Sequence, residues 1–123
     1  MALSEFFLNN FETSDNALDQ RLKPHYYNND YHTTQHLIIS SFNQVGFKML
    51  NVDNYYHEML FEYKRIRVVV ILNEMSLYEI RVDMKINTKY LFQFIRPIKI
   101  IEKLYEILDR KLTLKYLGGE MNE

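Results

Sequence analysis

Leu77-Tyr78-Glu79-Ile80-Arg81-Val82-Asp83-Met84-Lys85-Ile86 is the stretch that decides the fold. Tyr78, Ile80, Val82, Met84 and Ile86 alternate with Glu79, Arg81, Asp83 and Lys85. A period of two sends successive side chains to opposite faces, so this is a strand with one buried and one wet face. Upstream, Ile66–Leu72 is also strand-like, but Val69 and Ile71 make its second face apolar too, which predicts a central strand partly covered on both sides. Two further strands are predicted at Phe47–Val52 and Tyr55–Tyr63, with turns at Asp53-Asn54, near Lys64 and at Asn73-Glu74.

Outside this block the period changes to that of helices. Leu3, Phe6, Phe7 and Phe11 suggest a short opening helix, and Thr13 or Ser14 offers a cap for a second one faced by Leu18 and Leu22. Pro24 stops it, leaving His25–Asn29 as a loop. A third helix, capped by Asp30 or Thr33, carries Leu37, Ile38, Ser41, Phe42 and Val45 on one face and ends at Gly46. Downstream, Asn87 or Thr88 begins a short helical stretch through Ile95, and Pro97 opens a long helix that Gly118 terminates. Ile98, Ile101, Leu104, Tyr105, Leu108 and Leu112 form its core stripe, and Ile100, Ile107 and Leu114 form an adjacent stripe with surplus apolar surface for a partner. The expected fold is a two-layer α+β domain: N-terminal helices, a four-stranded antiparallel meander and a long C-terminal helix on one sheet face. It spans residues 1–123 as a single domain with a disordered tail from about residue 118. This order of elements is shared by too many small folds to carry an activity.

Composition narrows the function classes. The 123 residues hold 47% hydrophobic and 15% aromatic residues, enough for a stable core, and no Cys, which excludes disulfides and thiolate chemistry and suits a reducing compartment. No apolar run approaches the length of a spanning helix, and MALSEFFLNN lacks a basic region before an apolar stretch, so a cytoplasmic protein without membrane contact is expected. Tyr 10, Phe 8 and Met 6 against Gly 3 and Pro 2 point to AT-rich coding, and the end Gly118-Gly119-Glu120-Met121 could be encoded by a ribosome-binding stretch and a start codon, as in tightly packed bacterial or phage genes. A helix cap and frayed tail is the plainer explanation of those glycines.

Catalytic patterns are missing. Three glycines cannot build a phosphate cradle, no GxSxG elbow occurs, and the carboxylates are scattered among bases. His32 and His36 have the i, i+4 spacing that lets two imidazoles meet a metal, but they face away from the apolar stripe and lack a local third ligand, so a solvated helix face is expected and no cofactor. His57 beside Glu58 reads as a structural or rim residue. Charge is divided: residues 1–62 hold eight acids and three bases, residues 63–117 twelve bases and six acids. Lys64, Arg65, Arg67, Lys99, Lys103, Arg110 and Lys111 could follow a phosphate backbone, but Glu102, Glu106 and Asp109 interrupt the helical set. Paired tyrosines in polar segments are the strongest functional signal: Tyr26, Tyr27, Tyr31, Tyr55 and Tyr56, flanked by Asn. Exposed Tyr gives large contact area with a polar handle. These observations lead to a non-enzymatic protein-binding module, an inhibitor, immunity protein or adaptor, with homodimerisation as a variant. A small nucleic-acid-binding regulator using the basic segment is the alternative.

Overall fold

A computed structural model describes residues 10–88 and 97–119. The predicted meander is present: β3 (Lys48–Asp53), β4 (Glu58–Tyr63), β5 (Ile66–Ser76) and β6 (Glu79–Thr88) pair antiparallel in chain order. The sheet does not stop at four strands. β2 (His25–Tyr27) pairs with β6 and with β7 (Leu114–Leu117), giving the order β3-β4-β5-β6-β2-β7, and β1 (Asn10–Glu12) also pairs with β6. β1 lies opposite Lys85–Asn87 and β2 opposite Ile80–Val82, so the two share one side of β6 end to end. Among the described residues seven strands thus occupy six positions.

Three expectations are corrected here. First, the loop expected at His25–Asn29 is largely strand: three residues are too few to show a period, and Pro24 and Asn28-Asn29 on either side mimic loop chemistry. Second, the helix expected after Thr13 or Ser14 is absent; only Gln20–Leu22 forms one 3-10 turn, and Leu18 is fully exposed. Ser14 Oγ accepts from the Asn16 amide and Asp19 Oδ1 from the Arg21 amide, so short polar side chains fold the segment into local turns in place of a helix. Of the expected opening helix, Asn10–Glu12 is strand and the remainder lies outside the described residues. Third, the last helix, α2 (Pro97–Lys111), ends well before Gly118. Thr113–Leu117 leaves it to pair with β2, and Gly118 is buried, its amide donating to the Pro24 carbonyl, so the packed structure extends past the expected start of the tail. The stretch expected to be helical through Ile95 also lies outside the described residues, except that Asn87 and Thr88 belong to β6.

The helix predicted before Gly46 is α1 (Tyr31–Gln44). Asp30 caps it by accepting from the Thr33 amide. At its other end Gly46 takes φ +102° and the Phe47 amide reaches back to the Phe42 carbonyl, the left-handed closure that favours glycine. Ile38 and Phe42 from α1, Ile101 and Leu108 from α2, and the inward residues of β4–β6 form one core. The Tyr105 hydroxyl donates to the Val82 carbonyl at 2.7 Å, fixing α2 over β6. Ile100 and Ile107 of the second apolar stripe are partly buried against this core, whereas Leu114 belongs to β7 and is exposed.

Candidate functional site

The topology brings three segments to one end of the sheet. Turns after β3 and after β5 fall on the same side of an antiparallel meander, and α1 begins there too. The β5–β6 hairpin outruns its neighbours: β4 pairs with β5 only as far as Ile71, and β2 with β6 only as far as Ile80. The tip, residues 75–78, therefore projects, turning at Leu77-Tyr78, with Met75 as an extra residue that shifts the register, while Glu79 at its base is held by Lys115 and Tyr116 of β7. The projecting tip is apolar and exposed: Met75 53%, Leu77 75% and Tyr78 70%.

Beside it lies the turn 54–57, held by Asp53 Oδ1, which accepts from the amides of Tyr55 at 3.0 Å and Tyr56 at 3.1 Å. His57 closes this turn in the left-handed region at φ +57°, and its carbonyl accepts from the Leu72 amide. Tyr55 is 82% exposed, and its ring meets that of Tyr56 edge-on at 4.9 Å. The pair is presented on a fixed turn, which lowers the entropy lost on contact.

A groove of about 460 Å³ opens at this end, lined by Asp30, Tyr31, His32, His57, Glu74, Leu77 and Tyr78. The Tyr31 hydroxyl and His57 Nδ1 are hydrogen-bonded at 3.0 Å, and the Tyr31 ring meets both His57 and His32 edge-on. Partial burial, then the Glu74 charge, pushes the Tyr31 phenol up. Hydrogen bonding to Thr33 holds the Asp30 carboxyl below the usual carboxylate range.

The five tyrosines chosen from sequence thus separate. Tyr31, Tyr55 and Tyr56 belong to this end. Tyr26 and Tyr27 do not: as strand residues they are buried, 7% and 0% exposed. Tyr26 lies against the Tyr116 ring at 4.6 Å near Arg81, and the Tyr27 hydroxyl donates to Asp109 Oδ1 at 2.7 Å. The residues that sequence reading missed are Met75, Leu77, Tyr78 and Glu74. Tyr78 and Leu77 had been absorbed into the strand pattern, although an apolar pair at a hairpin tip is itself a signal.

A second cleft, of about 230 Å³, is lined by residues that include His25, Tyr105 and Asp109. His25 Nδ1 lies 2.8 Å from Asp109 Oδ1, and its ring stacks on Tyr105 at 3.7 Å. This resembles half of a nucleophile-activating set, but the hydroxyl nearest His25, that of fully buried Tyr27 at 3.4 Å, donates to Asp109, and the lining residues Gln20, Arg21, Glu102, Glu106 and Leu117 supply no hydroxyl, thiol or amine to activate. The Tyr105 hydroxyl is already committed to the Val82 carbonyl. The cluster ties β2 to α2.

His32 and His36 are both exposed on α1, and among the described residues no group of three His, Asp or Glu side chains could hold a metal ion. Of the basic set, Lys64 and Arg65 form the β4–β5 turn, at the opposite end of the sheet from the hairpin tip, and Arg67 Nε donates to Glu62 Oε2 at 3.0 Å. Lys99, Lys103, Arg110 and Lys111 are exposed on α2. Lys99, Lys103 and Arg110 share one stripe of that helix with Glu106 between them. Two further bases of β6 are paired: Arg81 with Asp83 of the same strand at 2.6 Å and with Asp15 at 2.9 Å, and Lys85 with Glu12 at 3.3 Å. Among the described residues no helix is long and apolar enough to cross a membrane. Compared with protein-family models, curated proteins and solved structures, the chain matches none.

Proposed function

We propose that the protein is a non-enzymatic binding module that docks the hairpin end of its sheet onto another protein, in the manner of an inhibitor, immunity protein or adaptor. The observation that carries this is the projecting β5–β6 tip, where Met75, Leu77 and Tyr78 stand exposed together at the end of the ladder. Such a finger suits a concave site on a partner. Fully burying a large apolar side chain contributes about 1.5–3 kcal/mol. Association costs about 4–15 kcal/mol in lost freedom, so three tip residues alone barely balance it. Tyr55 and Tyr56, on the neighbouring turn, supply the additional contact. The absence of Cys suits a partner met in a reducing cytoplasm.

Affinity capture from the cells that naturally produce the chain tests this, with a Leu77→Asp/Tyr78→Ser double variant and a Val45→Asp control. Val45 is exposed where α1 ends, far from the tip. The wild type and the Val45 control should retain the same protein and the double variant should lose it. Equal retention by all three, or capture only of a second copy of the chain, contradicts docking of another protein through the tip.

A further inference from the structure

We propose that the groove between the start of α1 and the β5–β6 hairpin receives one cationic side chain, an arginine or lysine carried by the docked protein. This rests on the docking reading and names the chemistry of its centre. Four rings line the groove, those of Tyr31, His32, His57 and Tyr78, together with the carboxylates of Asp30 and Glu74. Among the described residues no Lys or Arg lines it. The faces of phenol rings such as Tyr31 and Tyr78 carry negative potential and attract guanidinium or ammonium groups within about 6 Å, and the two carboxylates add charge of the same sign. Tyr31 is held in place from both sides, by its hydrogen bond to His57 and by edge contacts with His57 and His32, so the walls are already formed. Glu74 follows the last residues of β5 that β4 covers, is exposed, and makes no ion pair with a described base that would compete for its charge. A volume of about 460 Å³ exceeds what one guanidinium needs, which leaves room for the stem of the side chain and its flanking residues. An anionic or purely aliphatic side chain would meet repulsion or leave both carboxylates facing apolar surface, so the same lining selects against them.

The probe is N-acetylarginine amide, titrated into the full-length protein at pH 8 and low salt while the aromatic ring signals of Tyr31, His57 and Tyr78 are followed by NMR. N-acetylglutamine amide and N-acetylglutamate serve as the neutral and anionic comparisons. The expected result is saturable movement of those three residues with the arginine probe only, weakened about fivefold by Glu74→Gln, the size of effect expected for an exposed charge pair. The exposed, isosteric Glu74→Gln change leaves the fold intact, which circular dichroism checks. Rings that do not move, or that move equally with the neutral probe, overturn the cation receptor. If the rings do not move but Leu77→Asp/Tyr78→Ser still abolishes capture, only this inference fails. If capture is also insensitive to the tip, the docking reading fails with it.

Discussion

Tyr27 and Tyr105 show how the interior uses tyrosine. Both phenols are pushed up, first by burial, and then by Asp109 for Tyr27 and Asp83 for Tyr105. The folded state therefore holds them neutral, whereas in the unfolded chain they titrate near pH 10. A raised native value means that their contribution is complete below about pH 10 and is lost as pH climbs beyond it, because only the unfolded chain gains by ionising. Melting temperature should fall steeply above about pH 10, and Tyr105→Phe should make that fall shallower. Thermal melts from pH 8 to 12, read with phenolate absorbance, test this; full phenolate absorbance from all ten tyrosines before unfolding would contradict it. At this scale the sequence was an incomplete guide. Tyr26-Tyr27-Asn28-Asn29 and Asn54-Tyr55-Tyr56 look alike in composition, yet the first lies along β6 and the second closes a hairpin. Only long-range pairing separates them.

Strand β7 depends on a close approach at Gly118. A methyl placed there would collide with the Asp15 carboxylate and the Pro24 ring, and the Gly118 amide is bonded to the Pro24 carbonyl. Gly118→Ala should cost about 1–3 kcal/mol by overpacking, measured by urea unfolding, and should speed amide exchange in Leu114–Leu117. A cost near zero with unchanged exchange would mean that β7 is not held there. The Leu114-Lys115-Tyr116-Leu117 strand was hidden behind the stripe of α2, since Leu114 also fits a helical spacing. The meander itself was legible because alternation over ten residues has no helical counterpart. Its last turn was not: polar Asn73-Glu74 resembles a turn, but these residues pair with Arg81 and Ile80 on the part of β5 that β4 no longer covers, where polar side chains stay in water. The true turn, Leu77-Tyr78, is apolar, which is why sequence reading placed it inside a strand and why it stands out once the hairpin is seen to project.

The whole molecule divides its aromatic side chains between two tasks. Helices and β4–β6 close one core, Tyr26 and Tyr27 strengthen the added strands, and Tyr55, Tyr56, Met75, Leu77 and Tyr78 stand exposed at the hairpin end, whereas Val45, Met49 and Leu50 are exposed towards the other. Because Leu77 and Tyr78 are 75% and 70% exposed, Leu77→Asp/Tyr78→Ser should change stability by no more than about 0.5 kcal/mol, so lost binding in that variant reports docking and not unfolding. The opposite end, with Val45 and the β4–β5 turn, serves as an internal comparison. The most direct test places a photo-crosslinking benzophenone amino acid at position 78, and separately at position 45, in the cells that produce the protein. One discrete adduct with a second protein from position 78 and none from position 45 is the predicted result; no adduct from position 78, or the same adduct from both ends, would contradict a docking surface at the hairpin tip.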